Sequence, residues 1–333
     1  MRTLLCLWAL LFSAGTAAAK EPPAPYAGRP EVRAFMQEMV QRHGFVEREL
    51  AYIFARARRL EVALKAVATP ASARAWADYR ATFVNDRQVG GGVDFWRQHQ
   101  KVLERAAKEY GVPEEVIVAI IGIETFYGRH TGRWRVIDAL TTLAFDYPPR
   151  APFFRGELEN YLLIARDTGT DVFSVRGSWA GAIGIPQFMP GSYLKFGVDF
   201  DGDGHVDLSG NPADAIGSVA NFLKQHGWKP GETVALDAEV KGDTFRAYAD
   251  GGVLPRHTLE ELAKAGATPR AAGAPADLKA ALIELETPGR ASEFRLGFDN
   301  FYVLTRYNRS SFYASAVSDL AAALRAARYP GGR

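Results

Sequence analysis

Between Gly111 and Gly128 the chain reads GVPEEVIVAIIGIETFYG, and from Val116 to Ile123 it presents no polar face. A helix that is apolar all round is stable only when other elements surround it. This segment must therefore sit at the centre of a helical assembly. Pro113 suits a first turn, Glu114 and Glu115 suit the positive end of the helix dipole, and Gly128 suits its close. One carboxylate is set into this apolar rod. Ile117, Ile120, Ile121 and Glu124 fall on one face at i, i+3, i+4 and i+7. An ionised carboxylate buried without a partner costs several kcal/mol, so its pKa rises. An acid that keeps its proton near neutrality can protonate a leaving group. The helix pattern alone equally allows Glu124 to turn to solvent or to pair with Arg129 or Arg150.

The rest of the chain supplies that surrounding. Its 333 residues are 47% hydrophobic, enough for a large core in one domain or a few interlocked ones. The formal charge of +2, with no dense Lys/Arg stripe, excludes a nucleic-acid-binding surface and suits a mildly anionic polymer. Residues 1–19 read as a signal peptide. Arg2 is the positive start, Leu4 to Phe12 the short apolar run, and Ala17-Ala18-Ala19 the cleavage site. The run falls short of the roughly 20 apolar residues of a transmembrane helix, so the mature chain is expected in the periplasm with no spanning segment. Cys6 is the only cysteine and lies inside that leader, too close to the N-terminus to be read as a lipid anchor. The mature chain then has no disulfide and no thiolate metal site.

A Pro-rich linker is expected over residues 20–30. Helices follow over Glu31–Val67, Ala71–Phe83 and Val93–Tyr110, the last two separated by Gly90-Gly91-Gly92. Further helices are expected at Leu140–Phe145, Gly156–Arg166, Pro212–His226 and Ser311–Ala327. Residues 229–300 are turn-rich, with short strands such as Thr233–Val240 and Leu282–Leu285, and read as a small β-containing insertion. Residues 31–228 and 301–328 then form the helical body. The fold class is mainly α (α+β).

Two loops carry possible chemistry. In GSWAGAIGIPQFMPG, glycines 177, 181 and 184 let backbone approach a ligand closely, with Ser178 and Gln187 as either ligand contacts or turn stabilisers. In DFDGDGHVD (199–207), acidic side chains fall at positions 1, 3, 5 and 9 of an EF-hand-like loop. Gly204 stands at the turn position 6 and His205 at position 7, where a backbone carbonyl is the usual ligand. Gly210 stands where a closing glutamate is expected. The loop is thus either a cation site or an acidic turn capping the helix from Pro212. Calcium suits its many flexible oxygens better than magnesium.

Six ordered strings resemble the lytic murein transglycosylase B family (glycoside hydrolase family 103). They are IIGIETFYGRHTG, DALTTLAFDYPPRA, RGELENYLLIARD, GSWAGAIGIPQFMPGSY, VDFDGDGHVDL with DAIGSVANFLKQHGW, and FYVLTRYNRSSFYA. The resemblance runs from about Pro30 to the C-terminus. It implies a lysozyme-like helical core with an additional helical domain, and cleavage of the β-1,4 bond between N-acetylmuramic acid and N-acetylglucosamine in peptidoglycan. The product would end in 1,6-anhydromuramic acid, with Glu124 acting as acid and then base. A hydrolytic muramidase or a non-catalytic wall-binding protein of the same fold are the alternatives. The resemblance also implies that Ser178 orients the N-acetyl group or Glu124 and that Gln187 binds substrate. Tyr79, Arg150, Phe188, Tyr307, Asn308 and Tyr313 become cleft residues, although Tyr79 and Phe188 equally suit core packing. It implies Asp214 as the closing ligand of a structural Ca2+ site with Asp199, Asp201, Asp203 and His205. Two departures stand out. Pro149 replaces the first of two arginines, leaving Arg150, and Asn221-Phe222 stands where the family often has Asn-Tyr. Asp138 and Asp146 are the nearby carboxylates that could serve as a second catalytic group, Asp138 otherwise reading as a helix cap.

Overall fold

The computed structural model describes residues 25–68 and 74–331. The expected leader with Cys6, residues 20–24 of the expected linker, and residues 71–73 of one expected helix lie outside the described residues. The chain divides into two compact units at Ala57/Arg58.

The first unit is a helical pair, α1 (Pro30–His43) and α2 (Glu47–Arg56). Pro30 opens α1 at a position where its missing N–H costs nothing. Gly44, at φ 68°, closes it in the left-handed conformation that favours glycine. Val32, Phe35, Met36 and Met39 are buried on α1, as are Leu50 and Phe54 on α2. Phe35 meets Phe54 edge to face at 6.0 Å.

The second unit begins with α3 (Glu61–Ala68), α4 (Trp76–Phe83), α5 (Asp86–Gln98) and α6 (Gln100–Tyr110). The apolar rod is α7 (Glu114–Thr125), packed among α5, α6, α15 (Ser311–Arg328) and α11 (Pro212–Gln225). Ile117, Val118, Ala119, Ile120 and Ile121 have no exposed surface. Each buried Ile contributes about 1.5–3 kcal/mol, which is why a segment with no polar face can hold this position. Next come a two-residue strand β1 (Trp134–Arg135), α8 (Val136–Asp146) and α9 (Ala151–Asp167). Strand β2 (Arg176–Gly177), antiparallel to β1, and α10 (Pro190–Phe196) follow.

After α11 the chain builds a five-stranded antiparallel sheet in the order β4-β6-β7-β3-β5. Its strands are β3 (Ala235–Val240), β4 (His257–Thr258), β5 (Ala267–Pro269), β6 (Lys279–Leu285) and β7 (Glu293–Gly297), with the short helices α12 (Arg246–Ala249) and α13 (Leu259–Lys264) between them. Alternation along β6 explains its place. Ala280 and Leu282 join a small core with Leu259 and Leu262 of α13, whereas Ala281, Ile283 and Leu285 join the helical core. Helix α14 (Asp299–Tyr307) then leads into α15. Arg295 on β7 bonds Asp319 on α15 at 2.8 Å, and Arg80 on α4 bonds the same carboxylate at 2.6 Å, joining sheet, α4 and α15.

Three details differ from expectation. Gly90, Gly91 and Gly92 do not separate helices but lie inside α5. The reason is the ring of Tyr127: a Cβ on Gly92 would stand 2.4 Å from its hydroxyl, and one on Gly122 of α7 2.7 Å from its ring. Helix α7 ends earlier than Gly128, on Phe126 and Tyr127, which take φ 50° and 61°. Asp138 is no cap. Its carboxylate accepts from the backbone N–H of Arg58 at 2.9 Å and from the Arg135 guanidinium at 2.7 and 2.8 Å.

Candidate active site

Glu124 lies in the last turn of α7 and keeps part of its surface open to solvent. Its Oε1 accepts a hydrogen bond from the Tyr313 hydroxyl at 2.7 Å. Burial, opposed by that single bond, pushes its pKa up to about 7. The arginine pairing left open by the sequence does not occur: Glu124 forms no ion pair among the described residues. Arg150 is exposed in a 3-10 turn and stacks on Phe153 and Phe154, at 4.5 and 5.3 Å. Asp138 is bound to Arg135, and Asp146 pairs with Arg59 at 3.2 Å, so both carboxylates have local structural partners.

Three tyrosines surround the acid. Tyr313 comes from the first turn of α15, where the Ser310 side chain caps the helix by accepting from the Tyr313 N–H. Tyr307, at the end of α14, stacks parallel to Tyr313 with centroids 6.2 Å apart and donates its hydroxyl to the Pro186 carbonyl at 2.6 Å. Tyr79 on α4 packs on Phe83 and Phe312 at 5.2 and 5.7 Å, and its hydroxyl has no partner among the described residues. Burial raises all three phenol pKa values, and the Glu124 charge raises them further. Of the three, Tyr313 is the one that bonds the carboxylate.

The Gly-rich loop forms the adjoining wall. Ser178 Oγ accepts from the N–H groups of Ala180 and Ala182 at 3.2 and 3.0 Å and makes no bond to Glu124. Its hydroxyl stabilises the turn, and only its proton is left for a ligand. Gln187 takes φ 51° and spends its amide nitrogen on the carbonyls of Thr131 and Gly184, at 3.0 and 2.7 Å. Its side-chain oxygen has no donor among the described residues. Phe188 is 2% exposed and packs against Phe222 and Tyr307 at 5.6 and 5.8 Å. Core packing, not an open face, therefore describes Phe188. Phe222, the departure noted in the sequence, packs against Tyr307, Phe196 and His226. Asn308 ends α14 with an exposed side chain that makes no hydrogen bond among the described residues.

Sequence reasoning missed the support beneath the acid. Among the described residues the only non-glycine residues at positive φ are Phe126, Tyr127 and Gln187. All three border this site. Each costs of order 1–2 kcal/mol and persists only because its surroundings fix it. Thr125 ties the end of α7 to the Gly-rich loop by donating to Ile185 O at 2.9 Å. Tyr127 fills the glycine slot of α5 and donates to Gln88 O at 2.8 Å, while the Gln88 amide donates to Gly122 O at 2.7 Å. The glycine cluster of α5 and the lone Gly122 of α7 were the available signal.

The acidic loop is built differently. Asp199, Asp201 and Asp203 are exposed, and each offers a carboxylate oxygen within 4.8 Å of the others. Backbone N–H groups of Gly204, Gly202 and Asp203 hold the Asp199 carboxyl below the usual range. Three convergent hard oxygens fit a divalent cation such as calcium. Asp214 stands apart from them. It is fully buried, and its two oxygens accept from Phe200 N and Asp207 N, each at 2.7 Å. It clamps both ends of the loop in place of joining the exposed cluster. His205 is exposed, with its N–H on Asp203. Capping of α11 falls to Asn211, which accepts from Ala213 N and donates to Asp201.

A model of the transglycosylase SLT domain matches residues 27–322. The chain is similar to the membrane-bound lytic murein transglycosylase B of Escherichia coli (strain K12): 42% identical over 313 residues, which is 91% of this chain and 85% of that one. Its structure is similar to that of the soluble lytic transglycosylase SltB1 of Pseudomonas aeruginosa, with a TM-score of 0.84, 46% identity, and coverage of 90% of this chain and 99% of that one. It is also similar to the Escherichia coli lytic transglycosylase Slt35 in complex with calcium, with a TM-score of 0.83, 43% identity, and coverage of 91% and 95%.

Proposed function

The chain belongs to the transglycosylase SLT domain family, and from that premise we propose that it is a peptidoglycan lytic transglycosylase in which Glu124 is the single catalytic acid and base. What carries this reading is a carboxyl group with a pKa near 7, no ion pair among the described residues, and one tyrosine hydrogen bond. Such a group holds a proton and releases it with comparable ease at neutral pH.

A glycosidase of the usual kind needs two carboxylates. Here the substrate supplies the second partner. Protonated Glu124 donates to the glycosidic oxygen as the bond from that oxygen to the muramic acid C1 breaks. The neighbouring N-acetyl group stabilises the cationic carbon. Ionised Glu124 then removes the proton of the sugar's own C6 hydroxyl while that oxygen bonds to C1. The proton count closes on Glu124, and no water is consumed. Enforced proximity makes the internal hydroxyl the better nucleophile.

Tyr313 holds the carboxylate in line and lends stability to its ionised state. Tyr79 and Asn308 offer unpartnered polar groups to the glycan, as do the Gln187 oxygen and the Ser178 proton, and Arg150 lies exposed for an anionic group. Tyr307 and Phe188 act from behind by anchoring the wall. Asp199, Asp201 and Asp203, with the His205 carbonyl, would hold calcium, and Asp214 would set the loop that presents them. The ion would neutralise clustered charge and stiffen the loop. Among the described residues no helix is long and apolar enough to cross a membrane, and we read residues 1–19 as an export leader that brings the enzyme to the wall. The test is mass analysis of digested purified peptidoglycan. Products lighter by one water than muramidase products are expected, and hydrated reducing ends would overturn the transglycosylase step.

A further inference from the structure

A cavity of about 330 Å³ lies between α6, α11 and the acidic loop and shares no residue with the Glu124 site. Lys101, Val102 and Arg105 of α6 form one wall, and Phe200 and Asp201 of the loop form another. Lys101 and Arg105 stand one helical turn apart and so share a face of α6. Both are exposed, and neither has an ion pair among the described residues. The acids beside them on the helix are taken up locally: Glu104 accepts from Gln100 at 2.7 Å, and Glu109 interacts with Tyr110. Arg105 is held against the loop. Its guanidinium lies over the Phe200 ring, 3.7 Å from the centroid, and Tyr110 packs on the same ring at 5.9 Å. Phe200 stands between Asp199 and Asp201, is 6% exposed, and presses on α11 at Gly217, where a Cβ would stand 2.4 Å from its ring. Asp201, which lines the cavity, also accepts from Asn211 at 2.7 Å.

Two positive charges beside clustered carboxylates act in two opposite ways. They attract the acidic loop when it carries no ion. They also repel a divalent cation, which feels each of them twice as strongly as a single carboxylate charge does at the same distance. We propose that Lys101 and Arg105 are a fixed counter-charge that stabilises the ion-free loop and lowers its affinity for calcium, shifting its filling to higher calcium concentration. Neither residue offers an oxygen to the ion, and each acts through space. The inference rests on the calcium site proposed above and adds what sets its affinity.

The experiment titrates calcium into the full mature chain by calorimetry, at about 0.01 M and about 0.15 M monovalent salt. The proteins compared are wild type, Lys101→Gln, Arg105→Gln and Arg105→Lys. Each neutralised charge should tighten calcium binding about two- to fivefold at the lower salt, and less at the higher, where the Debye length falls to about 8 Å. Lys101→Gln, which gives up no ring contact, should at the same time melt lower in chelator, so that one substitution moves ion-free stability and ion affinity in opposite directions. Arg105→Lys keeps the charge and should bind calcium as wild type does, which separates charge from packing. Affinity unchanged or weakened in both Gln variants, or a tightening indifferent to salt, would overturn the inference. If wild type and variants bind calcium alike, this inference alone fails. If none of them binds calcium, the cation site fails with it. Release of anhydro ends from purified peptidoglycan by the wild type tests the enzyme reading separately from both.

Discussion

Glu124 and Asp199 are both carboxylates, and the protein pushes them in opposite directions. Glu124 sits where helices and tyrosine rings displace water, with one hydrogen bond to oppose the cost, and its pKa climbs to about 7. Asp199 is exposed, faces three backbone N–H groups, and falls below the ordinary range. The first is prepared to carry a proton, the second to stay charged whatever the pH of the cell. Donor count and burial, not residue type, separate a proton-transfer group from a cation ligand.

The strongest way to break this contrast is Glu124→Gln, which keeps shape and removes the titrating proton. Turnover should fall by about 10³-fold or more. Stability should move the other way. A carboxyl whose folded pKa lies above its unfolded value favours the fold below pH 4.5 and loses that contribution as pH rises through about 7. The variant should therefore melt higher than wild type at pH 8, by up to about 3 kcal/mol of stability, with the gap closing near pH 4. A gap independent of pH would mean that Glu124 is not desolvated.

Tyr313→Phe sharpens the same side. Its hydroxyl holds the Glu124 pKa down, so its loss should shift the alkaline limb of the pH–rate profile upward. A rate loss of roughly tenfold should accompany the shift, the scale of one hydrogen bond to a charged group. A limb that stays in place or moves down would reverse the assigned role of the tyrosine.

The smallest effect belongs to the loop. Calcium at about a hundredfold over its Kd adds about 2.7 kcal/mol and should raise Tm by roughly 5 °C, with little change in turnover. Asp199→Asn should lose most of that response. A melt indifferent to calcium and chelator would remove the cation site.

The sequence made some of this visible. An apolar run from Val116 to Ile123 admits few places in a fold, and Glu124 was conspicuous because it interrupted the stripe. Other features depended on partners distant in the chain. The glycines of α5 read as a break because their tenant, Tyr127, lies 35 residues beyond Gly92. Asp138 looked like a cap because its backbone donor, Arg58, comes 80 residues earlier. Ser178 and Phe188 belong to motifs that spell their positions but not which way a hydroxyl or ring is spent. Asp214 was legible as part of the loop, while its clamp on Phe200 and Asp207 required the folded turn.

The slot that receives Tyr127 ties two fates together. Three successive glycines in α5 forgo about 3 kcal/mol of helix propensity relative to alanine, so that stretch leans on its occupant to remain wound. The occupant in turn belongs to the left-handed corner that immediately follows Thr125. Neither can come apart alone. A fluctuation that frays one helix withdraws the support of the other, so the packing of α5 and the corner beside the acid are coupled through one ring.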